Sequence, residues 1–343
     1  SLTFAIQHAN KRSTAIDWTT AAGREELLTL TAAADMLIES HPVGQLDGVG
    51  LSIPILQSRN SRLVITSITP FGQTGPYRDW AATEWTYLAL SSVLARSGNP
   101  GEPPLMPPGR LPDEHAGVQP AWASLVAYWK AQRTGIGEHV DVSVLESVVQ
   151  SLDPAFGVAG TAMSGTTASD LPAGRPDARH MYPIFATDDG YVRICVLAKR
   201  QWRGLFNWLG EPPEFADPKY DSTAHRFRDA ARIGATIAAM FGAKPTQQLL
   251  DEGMRFGVPI ESVNPAGKVL ANPHFKARGS WVDVELPEGR VAQLPRGFIE
   301  IDSVPAGLRK SAPALADSSG IFCGTPERTH PDEPAPAPRA TPF

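Results

Sequence analysis

Cysteine is nearly absent: Cys195 and Cys323 are the only two among 343 residues. Two cannot build a disulfide framework or a cysteine-ligated metal site. Cys195 sits in an apolar, strand-like run and is expected to be buried filler. Long apolar runs are missing too. None approaches the ~20 residues a membrane-spanning helix needs, and no signal-peptide pattern opens the chain. Positive charge is not in excess, since 31 Lys and Arg face 36 Asp and Glu, for a net charge of -5. Nucleic acid demands clustered cations, so that partner class is excluded, whereas a small anionic ligand needs only a few local ones. Also missing are Gly-x-Ser-x-Gly, His-Glu-x-x-His, a Walker lysine loop and Gly-x-Gly-x-x-Gly. No metal constellation stands out. These absences leave a cytoplasmic protein, off the membrane, with some other chemistry.

What is present is ordered alternation. At 42% hydrophobic residues the chain can bury a core, and its length favours two substructures. Apolar residues at helical spacing predict a helix over 23–39. A β-branched run over 63–68, stopped by Pro70 and Gly72, predicts a buried strand. Helical patterns follow at 83–94 and 115–132, separated by a Pro/Gly-dense loop over 100–112. A strand at 139–142 and a helix from Ser143 continue the alternation, which indicates an α/β layer with parallel strands.

The character changes near residue 165, where Ser164-Gly165-Thr166-Thr167-Ala168-Ser169-Asp170 is small and polar. Alternating runs at 183–187 and 191–196 flank Asp188-Asp189-Gly190, a strong hairpin signal. Helices are predicted at 201–209, 224–240 and 246–253, and a second hairpin joins 282–286 to 291–294. The expected organisation is a large domain over 1–165, a linker at 166–180 and a small α+β domain at 181–300. A return segment at 301–325 and a Pro/Ala-rich linker at 326–343 complete it.

Asp113 follows Pro112 and precedes a long helix, so its plainest role is an N-cap. A carboxylate there also faces the positive helix end and free amides. Those amides can stabilise an oxyanion formed on an attacked carbonyl, so cap and nucleophile are compatible. Phe71-Gly72-Gln73-Thr74-Gly75 follows a predicted parallel strand, where glycine serves a tight turn and where α/β folds bind ligands. Asn10-Lys11-Arg12 is either a solvated pair of cations or a phosphate clamp. His115 does not share a helix face with Asp113, and His139 suits strand geometry better than catalysis.

Taken in order, these segments resemble a known family. Beyond Asn10-Lys11-Arg12-Ser13, the matching blocks are Phe71 to Tyr77, Asp113-x-x-Ala116-Gly117, Arg133-Thr134-Gly135-x-Gly137 and Val140-Asp141-Val142-Ser143 with Glu146. Asp189-Gly190-Tyr191-Val192, Gln201-Trp202, Gly257-Val258-Pro259 and Arg278-Gly279 follow in the right sequence. The chain is identified as similar to the family III CoA-transferases, the CaiB/BaiF group. That resemblance implies a Rossmann-like large domain, a small domain and an interlocked dimer. It implies that Asp113 attacks an acyl-CoA and passes CoA to a carboxylic acid. CoA is then a substrate held by Asn10, Lys11, Arg12, Phe71, Gly72, Gln73, Thr74 and Gly75, and no cofactor stays permanently bound.

The family also contains α-methylacyl-CoA racemases, whose histidine falls near Thr83; threonine cannot serve as that base. The strand–helix unit that normally precedes Asn10 does not occur in this chain. The family's Asn-Phe-Arg-Pro-Gly-like block reads Ser40-His41-Pro42-Val43-Gly44 here, without its arginine. With the terminal linker, these departures suggest one half of a two-copy polypeptide, either catalytic or a CoA-binding or structural scaffold. Its partner is then a second transferase copy on the same polypeptide, or a homodimer mate.

Overall fold

A computed structural model describes residues 1–99, 101–151, 183–286 and 289–316. Among these, 10–151 with 312–316 form one compact unit, and 1–9 with 183–311 form another.

The larger unit is built on a parallel sheet in the order β1 (Met36–Glu39), β2 (Val64–Thr69), β3 (His139–Ser143). β2 is central and almost wholly buried, as its β-branched run predicts. Its side chains alternate between faces. Leu63 and Ile65 join Leu28, Leu51 and Leu56, from the side of helices α1 (Ala21–Ala33) and α2 (Ile53–Arg59). Val64 joins Ala127 and Ala131 of the long helix Leu111–Thr134. On that face Thr66 and Ser124 exchange a 2.7 Å hydrogen bond. Ser124 gives its one O–H to the Pro120 carbonyl at 2.6 Å, so Thr66 is the donor between them. The buried hydroxyls of Thr66 and Ser124 are thereby both satisfied.

The helix expected over 23–39 is corrected. It ends at Ala33, and Met36–Glu39 is instead a strand paired with Val64–Ser67. Asn60 ends it from a distance, donating its amide to the carbonyls of Thr31 at 3.2 Å and Ala34 at 2.8 Å. Those carbonyls are satisfied without a further helical turn. Apolar spacing alone could not reveal a stop signal supplied 26 residues later.

The smaller unit carries an antiparallel sheet of β4 (Ile184–Ala186), β5 (Tyr191–Ile194) and β6 (Ile260–Ser262). The Asp188-Asp189-Gly190 turn joins β4 to β5 as expected. The second hairpin also forms, from Trp281–Leu286 and Arg290–Pro295. The sheet packs on Trp202, Leu205, Phe215, Ile237 and Phe241, an aromatic-rich core. Residues 1–9 were expected with the large domain; in the structure helix Leu2–Gln7 buries Ala5 against Val284 and Leu294 of this unit. The single helix expected over 224–240 is broken into Thr223–Arg228 and Ala230–Phe241. Asp229 at the break accepts from the Tyr220 hydroxyl, which draws it out of a helical run. Cys195 is half-buried rather than buried, because β5 ends at Ile194.

Two carboxylates tie this unit together. Burial works against the Glu252 charge, but Lys244 Nζ at 2.6 Å, Gln248 and the Trp208 indole N–H at 2.8 Å hold its pKa at about 2. Arg203 at 2.6 Å, with Lys199 at 3.0 Å, brings Asp221 to about 2 as well. Both folded values lie below the ordinary ones of 4.5 and 3.8. The stabilisation is therefore complete above the ordinary range and is lost as pH falls toward 2. Glu252→Gln is expected to flatten the fall in melting temperature between about pH 5 and pH 2. Thermal melts across that range check it; an unchanged slope refutes it.

Among the described residues no helix is long and apolar enough to cross a membrane.

Candidate active site

In a parallel sheet, the loops leaving the strand C-termini gather along one edge, where they can surround a ligand. β2 leaves through Pro70 into Phe71-Gly72-Gln73-Thr74-Gly75. Gly72 and Gly75 take left-handed conformations there, with φ of 87° and 93°. Asp141 of β3 reaches across, and the Gln73 N–H donates to its two carboxylate oxygens at 3.1 and 3.0 Å. A Cβ at Gly72 would sit 3.7 Å from the same oxygens, so strand and turn are in contact. The sequence marked Asp141 only as part of a motif; its work is to pin the turn. Asp141→Ala is expected to speed amide exchange at Gln73 by about tenfold, the loss of one modest charge-assisted bond. An exchange rate unchanged by the substitution refutes this anchoring.

Asp113 does not cap its helix. Helix Leu111–Thr134 begins four residues before the expected start, with Arg110 as N-cap and Asp113 as its third residue. Pro112 explains the shift, since its fixed φ and missing N–H suit a first helical turn. The Arg110 carbonyl accepts from the Glu114 N–H at 2.9 Å and closes that turn. Asp113 remains beside the positive helix end. Its side chain is 56% exposed and forms an ion pair with the Arg110 guanidinium.

Tyr87, from helix Glu84–Leu90, lies within reach of that charge. Burial, and then the Asp113 carboxylate, push its phenol above the ordinary value of 10.0. It therefore stays protonated at neutral pH, a neutral donor near an anionic group. The Tyr87 ring is 6.2 Å from Phe71, and Tyr77 stacks on Trp80 at 4.0 Å beside it. Tyr87, Ile68, Leu111 and Ala116 all pack on the core of Leu88, Val93, Val144 and Val148. One small core thus carries both the Phe71 turn and the turn bearing Asp113. Nothing in the local sequence marked Tyr87 or Arg110, because their roles depend on contacts between elements.

A cavity of about 150 Å³ opens where β1 ends, lined by Ile16, Trp18, Leu37, Glu39, His41 and Leu46 among others. The Trp18 and His41 rings lie 4.5 Å apart, and Glu39 accepts from the His41 N–H at 2.7 Å. A flat ring with a hydrogen-bonding edge suits such a space. Asn10, Lys11 and Arg12 are exposed at the start of this unit, with Asn10 at φ 65°. They are not part of the Tyr87 cluster. Thr83 caps its helix by exchanging hydrogen bonds with Thr86. His139 bonds the Ser67 hydroxyl at 3.0 Å within the sheet. The Ser164–Asp170 stretch lies outside the described residues.

Residues 1–318 match the family model described as CoA-transferase family III. A probable CoA-transferase of Mycobacterium tuberculosis is 39% identical over 326 residues, covering 95% of this chain and 41% of that protein. The chain thus spans less than half the length of that relative. A subunit of the succinyl-CoA:(R)-benzylsuccinate CoA-transferase of Thauera aromatica is 32% identical over 342 residues, covering 95% of this chain and 82% of its own. Among solved structures, a CaiB/BaiF family protein from Brucella suis superposes with a TM-score of 0.76. It is 27% identical and covers 94% of this chain and 83% of its own. A family-model match over residues 1–318, with relatives alike in sequence and fold, makes this chain a member of the CoA-transferase family III, the CaiB/BaiF group.

Proposed function

We propose that this chain moves CoA from an acyl-CoA to a carboxylic acid, with Asp113 as the covalent nucleophile. The observation that carries the reading is the setting of Asp113: solvent-accessible, in the first turn of a long helix, beside Tyr87 and the Phe71 turn. Attack of its carboxylate on the thioester carbonyl forms a C–O bond and, as the C–S bond breaks, expels CoA thiolate. An aspartyl–acyl anhydride results. The returning thiolate attacks the Asp113 carbonyl, frees the donor acid and leaves an aspartyl-CoA thioester. The acceptor carboxylate then runs both steps in reverse. One difficult exchange becomes several easier ones. The free amides of the helix end stabilise the oxyanion of each addition.

Phe71 to Gly75 offers backbone and the Gln73 amide to the pantetheine arm, and the Trp18–His41 cavity suits the adenine. Asn10, Lys11 and Arg12 supply cations for the phosphates. A Rossmann-like large domain, an interlocked dimer or pairing with a second transferase copy, and a cytoplasmic location belong to the same proposal. Relatives named for succinyl-CoA point to a dicarboxylyl thioester as donor.

The test is incubation of the purified protein with a panel of acyl-CoAs, quenching with hydroxylamine, and peptide mass spectrometry. A hydroxamate on the peptide carrying Asp113, absent from Asp113→Asn, is the expected result. CoA binding with no label on that peptide makes the chain a scaffold. Isomerisation of a 2-methylacyl-CoA without labelling establishes the racemase reading instead.

A further inference from the structure

The Arg110–Asp113 ion pair has no evident structural task. The two side chains are 57% and 56% exposed, and exposed pairs contribute little to stability. Arg110 is nonetheless fixed at the backbone, as the N-cap whose carbonyl closes the first turn. Its guanidinium is therefore delivered to the Asp113 carboxylate by the same turn that presents that carboxylate. We propose that Arg110 is the residue that selects a dicarboxylic acyl group, by exchanging Asp113 for the distal carboxylate of the donor.

The argument is one of charge, and it rests on the transferase reading above. In the free protein the guanidinium holds one Asp113 oxygen, Oδ2, and competes with any attack from it. A donor with a second carboxylate two methylenes beyond its thioester carbonyl offers a replacement anion. Guanidinium pairs bidentately with such a group, which frees Asp113 Oδ2 to attack. The attack then turns Asp113 into a neutral anhydride, and its negative charge leaves with the thiolate. Arg110 would be left without an anion at that point unless the acyl group carries one. The new pair strengthens as Asp113 loses its charge, so the gain grows along the reaction rather than at binding. It is thus expected mainly in kcat.

The measurement is the rate of Asp113 acylation by succinyl-CoA and by butyryl-CoA, a donor of equal chain length without the second charge. Wild type, Arg110→Lys and Arg110→Gln are compared. Wild type is expected to prefer succinyl-CoA. In Arg110→Gln the succinyl/butyryl ratio of kcat/KM falls by about ten- to a hundredfold, as for a lost charged hydrogen bond, and Arg110→Lys recovers part of it. A ratio unchanged while both rates fall together makes Arg110 only a support for Asp113 and overturns the proposal, as does a wild-type preference for butyryl-CoA. Failure of both donors to acylate the wild-type protein removes the transferase reading itself and, with it, the role of Arg110.

Discussion

Asp113→Asn is expected to abolish CoA exchange, with kcat falling on the order of 10⁴-fold or more, as removal of a covalent nucleophile does. Asparagine keeps the size and place of the side chain in the first helical turn. It removes the negative charge that attacks the thioester. Because the pair with Arg110 is exposed, folding should scarcely change, and the melting temperature serves as the control. Acyl-CoA binding is expected to persist, since the CoA arm is assigned to other residues. A variant that still exchanges CoA at more than about a hundredth of the wild-type rate is inconsistent with Asp113 as nucleophile. Asp113→Glu is expected to lose most activity as well, because one added methylene displaces the attacking oxygen from the position the turn sets.

Gly137→Ala is expected to cost about 3 kcal/mol of stability, at the upper end of overpacking costs. Gly137 is buried where the chain enters β3, and its N–H donates to the Ser61 carbonyl at 2.7 Å. A Cβ there would lie 2.1 Å from the Leu63 carbonyl oxygen and 2.5 Å from its carbon. Both are backbone atoms that hold the start of β2, so no side chain can swing aside. β3 must move, and with it Asp141 and the Phe71 turn. Gly135→Ala supplies the contrast. Gly135 is left-handed at φ 74° with nothing within 4 Å of its added Cβ, so its cost is only conformational, about 1–2 kcal/mol. Denaturant unfolding of the two variants separates a clash from a strained dihedral. Equal losses would show that the β2–β3 approach is softer than the geometry implies.

The Asp113 region shows how local reading and structure diverge. Proline before an acidic residue and a helical pattern suggested a cap. In the structure Pro112 enters the helix, and the acidic residue moves to its third position. The position near the helix end survives this change, because both arrangements leave the carboxylate beside the positive end of the helix dipole. The strand Met36–Glu39 fared differently. Its apolar residues fit a helix or a strand equally well over so short a run. Only pairing with Val64–Ser67, and the Asn60 bonds that close helix Ala21–Ala33, decide between them. Likewise, the break at Asp229 depends on Tyr220, nine residues away in sequence.

By itself the sequence determined the alternation of helix and strand, the buried β2 run, both hairpins and the glycine turn after β2. It also determined the family, through ordered motifs spread over most of the chain. These features depend on local periodicity, on glycine and proline geometry and on residue order, all of which a linear text carries. The tertiary structure alone decided that Asp141 holds the Gln73 amide, that Tyr87 lies near the Asp113 charge and that Arg110 occupies that carboxylate. It also decided where β1 begins and that Gly137 has no room for a methyl group. Most of these link residues far apart in the chain, through bonds and contacts effective over only a few ångströms. Such short-range forces select partners only once the sheet has brought the segments together.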